Sequence, residues 1–303
     1  MTMLSRNVTI TVQGRLMKAT TKTTRPEPDN NTKPGSKRGR VTTFSRKSRK
    51  RLLDLNATVD MRAGRHTFAT LTYPDECLPV TPQDSYNDHL RPLLERFRRT
   101  YPDMAVLWRK EIKIRQSGKY AGMPAPHYHL ILYNAPFIKR DDLRKAWAQI
   151  TGANGWEHLQ IDIRRIVSAR QLTSYVSKYV AKKDDVDLYA VWLALVGPAK
   201  PALLAYLDTV PYLHALMSWV GKFGHMDWLP GRLWGISNKA KMPLCEKISV
   251  TLREVGRAYR DLRRYARHVW SGVRHAHDLQ GFTVYIDNAT AWWGCVLHCI
   301  LDL

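Results

Sequence analysis

The chain has 303 residues, and its 48 Lys and Arg against 26 Asp and Glu give a formal net charge of +22 at pH 7. This length is sufficient for one large domain, or for two of ordinary size, with a buried core. Such an excess of positive charge is typical of proteins that bind polyphosphate, so we expect nucleic acid as the main partner.

No segment of the sequence predicts export or insertion into a membrane. Residues 1–17 contain no continuous apolar segment and no small-residue cleavage pattern, which argues against a secretory signal. The most apolar stretch, 188–213, is interrupted by Gly, Pro, Lys and Asp before it reaches the roughly 20 apolar residues that a membrane span requires. We therefore expect a protein that stays inside the cell and has no membrane partner.

Residues 1–60 are rich in Thr, Ser, Asn, Pro and basic residues. A segment of this composition buries too little apolar surface to fold, so we expect a basic, mostly disordered tail. Its part from Lys33 to Arg51 holds nine Lys or Arg and no acid, which favours sequence-independent contacts with phosphates. The alternative is a tail that only improves solubility or carries a targeting signal.

From His66 to Lys183 the sequence predicts strands and helices in the order β-α-β-β-α-β-α, with Ser168 capping the last helix. The short Gly- and Pro-rich connection over 116–126 predicts that the second and third strands form a hairpin. This order indicates an α+β fold of the ferredoxin or RRM type, in which helices cover one face of an antiparallel sheet and the other face is open. The predicted strands are 66–73, 105–115, 127–133 and 159–167, and the predicted helices are 88–100, 139–149 and 169–183.

The remaining sequence predicts elements added to this sheet domain. An apolar helical insertion covers about 186–224, a short strand PGRLWGIS follows, and Ile248 to Trp270 has helical spacing. That last helix carries an apolar stripe, which could pack on the sheet domain or on a second subunit, beside arginines that face phosphate or only water: Arg253, Arg257, Arg260, Arg264 and Arg267. The predicted regions are thus the tail 1–60, a domain 61–240, and an arginine-rich helix with a C-terminal tail in 241–303.

The candidate metal ligands lie on the predicted hairpin. His127 and His129 are two residues apart on a strand, so both imidazoles project from one face and can reach one metal ion. Taken alone, such a pair is more often a pair of core histidines. Glu111, the only acid between Asp103 and Asp141, lies on the partner strand and is the candidate third ligand. Two imidazoles and a carboxylate leave positions on Mg²⁺ or Mn²⁺ for water and a phosphate oxygen; the alternative is a solvated or ion-paired Glu111.

The candidate nucleophiles lie on the predicted helix after Ser168. Tyr175 and Tyr179 are four residues apart, so in an α-helix they share one face with Lys178 close by. A tyrosine hydroxyl is a poor nucleophile at neutral pH unless the reacting phosphate is polarised and a cation favours the phenolate, which a metal and Lys178 would provide. Taken alone, a tyrosine pair at this spacing more often serves packing.

The segments FATLTYPDE, PAPHYHLILY and SYVSKYVAKK, in this order, resemble the HUH-type rolling-circle replication initiators, the Rep endonucleases of single-stranded DNA phages and plasmids. The first motif of that family matches Phe68 to Tyr73 and the second matches His127 to His129. The third, in its two-tyrosine form, matches Tyr175, Lys178 and Tyr179. The segment GRLWGISN is similar to the strand that follows the third motif in phage replication-associated proteins. The resemblance covers about 65–238, and no Walker-type motif predicts a fused helicase.

This resemblance implies a metal-assisted transesterification on DNA. The metal, Mg²⁺ or Mn²⁺ held by His127, His129 and Glu111, draws charge from the scissile phosphate. A tyrosine attacks, the 3′-hydroxyl leaves and can prime synthesis, and a 5′-phosphotyrosine remains. Tyr175 and Tyr179, assisted by Lys178, would be the catalytic side chains, with the second tyrosine allowing circularisation.

The implied partners are single-stranded or melted origin DNA and the helicase and polymerase of the host, in the host cytoplasm, and a homo-oligomer is left open. Single-strand transposases and relaxases are the near alternatives, but the former typically have one tyrosine and the latter commonly place it before the histidines. From another class, the alternative is a non-catalytic single-stranded nucleic-acid-binding protein with an RRM-like sheet.

Overall fold

The computed structural model describes residues 6–23, 44–115, 117–121, 123–180, 231–252 and 281–285. The chain divides into two compact units, one formed by 1–37, 54–60 and 244–303 and the other by 38–53 and 61–243. Each unit contains one antiparallel sheet, and the described residues together form a mixed α+β structure. Among them, no helix is both long enough and apolar enough to span a bilayer.

The elements in chain order begin with a hairpin and end with a short strand. The strands are β1 (Arg6–Gln13), β2 (Leu16–Thr23), β3 (His66–Leu71), β4 (Ala105–Ile114), β5 (Pro124–Tyr133), β6 (Asp162–Ile166), β7 (Trp234–Ser237), β8 (Lys247–Leu252) and β9 (Gly281–Tyr285). The α-helices are α1 (Arg46–Ala57), α2 (Pro82–Asp84), α3 (Arg91–Thr100), α4 (Arg140–Thr151) and α5 (Ala169–Tyr175). Two π-helical turns, Ser85–Leu90 and Val176–Val180, continue α2 and α5.

The larger unit is built on a five-stranded sheet of order β6-β3-β5-β4-β7, in which every neighbouring pair is antiparallel. The strands and helices predicted between 66 and 180 are present, and β4 and β5 form the predicted hairpin. Ser168 caps α5 as predicted, because its hydroxyl accepts a hydrogen bond of 3.1 Å from the Gln171 backbone amide. The sequence therefore predicts the element order of this unit correctly.

One face of this sheet packs against α3 and α4. Side chains that alternate along β3 and β5, such as Leu71 and Leu130, are fully buried there with Leu93 of α3 and Trp147 of α4. The Trp147 indole also donates a hydrogen bond of 2.8 Å to the backbone carbonyl of Thr72, which fixes the chain just after β3. The predicted candidate site residues of β4 and β5 lie on the opposite face, because neighbouring residues of a strand point to opposite sides.

The smaller unit has a four-stranded sheet of order β8-β1-β2-β9. Its strands β1 and β2 and the helix α1 lie within 1–60, where a mostly disordered tail was expected. The physical reason is that β1 alternates Val8, Ile10 and Val12, which are buried, and that β1 and β2 pair with strands more than 200 residues away in the chain. An average composition over 60 residues does not reveal such distant pairing.

The helix expected from Ile248 to Trp270 also differs from the structure at its start, since Lys247–Leu252 is the strand β8. Ile248, Val250 and Leu252 recur at every second position and pair with β1, which outweighs the weaker three- and four-residue spacing further on. The arginines from Arg253 to Arg267 and the apolar insertion 186–224 lie outside the described residues.

Candidate functional site

The register between β4 and β5 brings the three predicted metal ligands to one face of the sheet. Glu111 pairs directly with His127, and His129 pairs with Arg109. Residues that pair across two strands project from the same face, so Glu111, His127 and His129 share the face opposite α3 and α4. Glu111 is 3% exposed, which removes the alternative of a solvated carboxylate at this position.

His129 is held by two side chains. Its Nε2 donates a hydrogen bond of 2.7 Å to the Glu111 carboxylate, and its Nδ1 lies 3.2 Å from the Thr70 hydroxyl, which donates to it. Burial lowers the pKa of His129, against the opposing effect of Glu111. The ring therefore serves as a neutral imidazole with its proton on Nε2.

His127 presents its other ring nitrogen to the site. Its Nδ1 donates a hydrogen bond of 3.2 Å to the backbone carbonyl of Ala125, so the lone pair of the neutral ring lies on Nε2. Burial is the main cause that lowers the pKa of His127 to about 4. Both histidines are thus in the neutral form that binds metal ions at neutral pH.

Basic side chains surround the Glu111 carboxylate. Lys113 lies 3.5 Å from its Oε2, and the side chain of Arg109 is buried behind it on the same strand. The Arg109 guanidinium lies over the Phe44 ring at 4.1 Å and donates to the Leu233 carbonyl at 3.3 Å. Positive charge next to the carboxylate and the histidines suits a face that receives phosphate.

The donor set fits a divalent cation in its chemistry, because it offers two neutral imidazoles and one carboxylate on a single face. Its side-chain arrangement is nevertheless that of a hydrogen-bonded His–Glu pair. Within the described ranges, no three His, Cys, Asp or Glu side chains surround a common point as metal ligands do. A metal at this face would therefore have to replace the hydrogen bond between His129 and Glu111.

Tyr175 reaches the same face through Phe68. Its ring stacks on the Phe68 ring with centroids 4.4 Å apart and planes 9° apart, and Phe68 also stacks on His129 at 5.9 Å and 15°. Phe68 and Thr70 alternate on β3 and so lie on the same side of the sheet. The structure thus brings Tyr175 together with the candidate metal ligands, at the last residue of α5.

The other two predicted catalytic residues follow Tyr175 in the π-helical turn. The Lys178 side chain is exposed, and the side chain of Tyr179 lies outside the described part. Hydrogen bonds in a π-turn span five residues instead of four, so the α-helical spacing that predicts a shared face for Tyr175 and Tyr179 does not hold here. Single π-turns of this kind often occur at functional sites.

Two contributors to the site were not predicted from the sequence. Phe68 and Thr70 belong to the motif strand, but their contacts with Tyr175 and His129 depend on the order and register of β3 and β5. The only signal in the sequence is the alternation along β3, which places both side chains on one face.

A comparison with protein families matches residues 66–184 to a family of replication-associated proteins, described as Replication-associated protein ORF2. The matched segment contains every predicted site residue, from β3 to the π-turn after α5. No curated protein and no solved structure gave a significant match. The match supports a replication initiator-like protein and suggests DNA as its partner.

Proposed function

We propose that this protein is a metal-dependent DNA nicking and joining enzyme of the HUH type, which initiates and terminates rolling-circle replication through a 5′-phosphotyrosine. The observation that carries the proposal is the column of rings that places Tyr175 on the sheet face of His129 and Glu111. A nucleophile, two neutral imidazoles and a carboxylate then face the same space.

In this proposal His127, His129 and Glu111 hold Mg²⁺ or Mn²⁺. Such an ion would supply positive charge that polarises the scissile phosphate. His129 can offer Nε2 to it only with its proton on Nδ1, and the Thr70 hydroxyl supports this form because a hydroxyl accepts as well as donates. Thr70 is therefore a positioning residue that serves both forms of the ring.

The tyrosines and Lys178 act on the DNA itself. The stack on Phe68 restricts the Tyr175 ring, so less freedom is lost when its hydroxyl meets the phosphate. The Tyr175 oxygen forms a bond to phosphorus, and the bond to the departing 3′-oxygen breaks. Lys178, three residues further on and exposed, is the cation that balances charge on the phenolate or the departing strand. Tyr179 takes the second cleavage.

The architecture also supports this proposal. The strands β6-β3-β5-β4 with α3 and α4 on one face follow the element order of a split β-α-β, ferredoxin-like plan. The candidate nucleophile approaches from α5 on the other face. Origin DNA and the host replication machinery are the partners that this function requires.

A second function, binding of single-stranded nucleic acid without cleavage, is favoured by one observation. His129, Glu111 and Thr70 complete their mutual hydrogen bonds without a metal. A binding protein would use such a set only to stabilise the strand pairing and would present the sheet and its basic side chains to the nucleic acid.

The test is a denaturing gel of full-length protein with 5′- or 3′-labelled single-stranded oligonucleotides that contain a randomised segment. We expect a covalent protein–DNA band with Mn²⁺ or Mg²⁺ that EDTA and Tyr175→Phe abolish. Tyr101→Phe, which changes a tyrosine at the end of α3, is the matched control and should keep the band. Binding of the oligonucleotides without any covalent band would favour the non-catalytic function.

A further inference from the structure

A cavity of about 390 Å³ opens next to His127, beyond the end of β3. Its walls include Thr72, Asp75, Glu76 and His158 in addition to His127. This volume lies in the range of about 300–1,000 Å³ that is typical of small-molecule pockets. The sequence analysis assigned no role to the side chains that line it, apart from His127.

The wall at Asp75 is fixed by the turn between β4 and β5. The Asp75 carboxylate accepts hydrogen bonds from the Arg115 guanidinium and, at 3.0 Å, from the Lys119 backbone amide. Gly118 approaches this carboxylate so closely, at a φ of +87°, that a Cβ atom would collide with it. The cavity is therefore preformed at this end, and Arg115 offsets the charge of Asp75.

Glu76 gives the cavity its remaining negative charge. Its carboxylate accepts a hydrogen bond of 2.8 Å from His158 Nε2. A hydrogen bond from its own backbone amide, and then the bond from His158, lower the pKa of the Glu76 carboxyl. A carboxylate repels phosphate but accepts hydrogen bonds from N–H groups, and it has about four acceptor positions. In a chain of net charge +22, this cavity is thus suited to a base and not to the DNA backbone.

We propose that this cavity is a base pocket, in which Glu76 and His158 hold one unstacked nucleobase of single-stranded DNA beside the scissile phosphate. The inference rests on the proposed function, because His127 is both a proposed metal ligand and a wall of the cavity. A base in the pocket leaves its own phosphate next to His127. Glu76 selects bases with an exocyclic amino group over thymine, since the amino group donates to the carboxylate.

The test uses full-length protein and a single-stranded oligonucleotide pool with a randomised segment, with sequencing of two fractions. One fraction is the DNA that becomes covalently attached in Mn²⁺, and the other is the DNA that Tyr175→Phe retains on a filter without cleavage. We expect depletion of thymine at one position by about fivefold to a hundredfold. Glu76→Gln, whose amide both donates and accepts, should reduce this depletion in both fractions.

Two further variants complete the design. His158→Gln tests the same pocket from the other side of the hydrogen bond, and neither Glu76 nor His158 is buried, so the variants should fold. The control Glu157→Gln changes an adjacent carboxylate that bonds to the Trp156 amide and should leave the base preference as in the wild type.

The outcomes separate this inference from the proposed function. Covalent attachment with a base preference that Glu76→Gln and His158→Gln leave unchanged would overturn the base pocket alone. A preference in the filter-bound fraction that depends on Glu76, without any covalent attachment, would support the pocket and contradict the nicking function. Loss of both signals would contradict both.

Discussion

His129 makes hydrogen bonds through both ring nitrogens, and each bond depends on a neighbouring strand. Glu111 comes from β4 and Thr70 from β3, so the imidazole is fixed in the plane between them. Such partners determine which nitrogen carries the proton and hence which one can bind a metal. The residue types of His127, His129 and Glu111 could be predicted from the sequence, whereas the role of Thr70 could not, because it requires the register of β3 with β5.

Thr70→Val tests this role of the hydroxyl. Valine keeps the shape and the β-branch but cannot support the His129 ring with its proton on Nδ1. We expect Mn²⁺ binding, measured by isothermal titration calorimetry, to weaken by about tenfold to a hundredfold. Thr67→Val, on the other side of the same strand, should bind Mn²⁺ as the wild type does. Equal affinities in both variants would show that Thr70 does not position a metal ligand.

The two tyrosines should separate by the step that each performs. Tyr175 is the residue stacked on Phe68, so Tyr175→Phe should remove the covalent DNA adduct. Tyr179→Phe should still form the adduct but lose the second cleavage that releases a closed circle from a substrate with two cleavage sites. Adduct formation and circle release can be followed on the same gel. Circle release by Tyr179→Phe at the wild-type rate would assign Tyr179 to packing.

At the scale of elements, β4 carries an unusual buried cation. Lys110 is fully buried and its ammonium donates a hydrogen bond to the Pro82 carbonyl at the start of α2. Burial, with a smaller contribution from Arg109, lowers the pKa of Lys110 to about 7. The hydrogen bond connects β4 to the helical segment that covers the opposite face from the candidate site.

This lysine makes the stability of the fold depend on pH. Between pH 7 and about 10.4, the unfolded chain binds a proton at Lys110 that the folded chain lacks, so the free energy of unfolding rises with pH. The contribution is at most about 1.4 kcal/mol per pH unit.

Lys110→Met should flatten the rise, as measured by urea unfolding at pH 7, 8 and 9. The exposed substitution Lys139→Met is the control and should retain the wild-type slope. A parallel pH dependence in wild type and Lys110→Met would exclude Lys110 as its source.

The helix after Ser168 shows where prediction from sequence stops at the level of elements. Its start could be predicted, because a serine cap and the spacing of Leu172 and Val176 are local features. The change to a π-turn after Tyr175 could not, since neither propensity nor periodicity distinguishes it from an α-helix. The element order from β3 to α5 was predictable for the same local reason, whereas the order of strands within the sheet was not.

At the scale of the whole molecule, the charge of +22 is the feature that composition predicts most directly. The organisation of 1–60 was not predictable from composition, because β1 and β2 gain their partners β8 and β9 only in the folded chain. The basic segment 33–51 therefore has to be tested without removing these strands. Deletion of 1–60 would change both the charge and the sheet of the smaller unit.

Replacing Lys33, Lys37, Arg38 and Arg40 together by Gln should reduce the salt dependence of single-stranded DNA binding. If all four contact phosphates, the slope of log affinity against log salt should fall by up to about 3, at about 0.7 per contact. Fluorescence anisotropy with oligo(dT) at several salt concentrations measures it. A charge-preserving variant with Lys and Arg exchanged at the same positions should keep the wild-type slope, and an unchanged slope in the Gln variant would leave this segment without a role in phosphate binding.

The central claim, that Tyr175 becomes covalently linked to DNA, can be tested most directly by peptide mapping. Trypsin cleaves after Arg170 and Lys178, so Tyr175 and Tyr179 fall in different peptides, 171–178 and 179–182. After reaction with a single-stranded oligonucleotide pool in Mn²⁺ and nuclease trimming, mass spectrometry should find a nucleotide 5′-phosphate on the peptide 171–178, and not in the presence of EDTA. An adduct confined to the peptide 179–182, or no adduct on either peptide with DNA bound, would contradict the account.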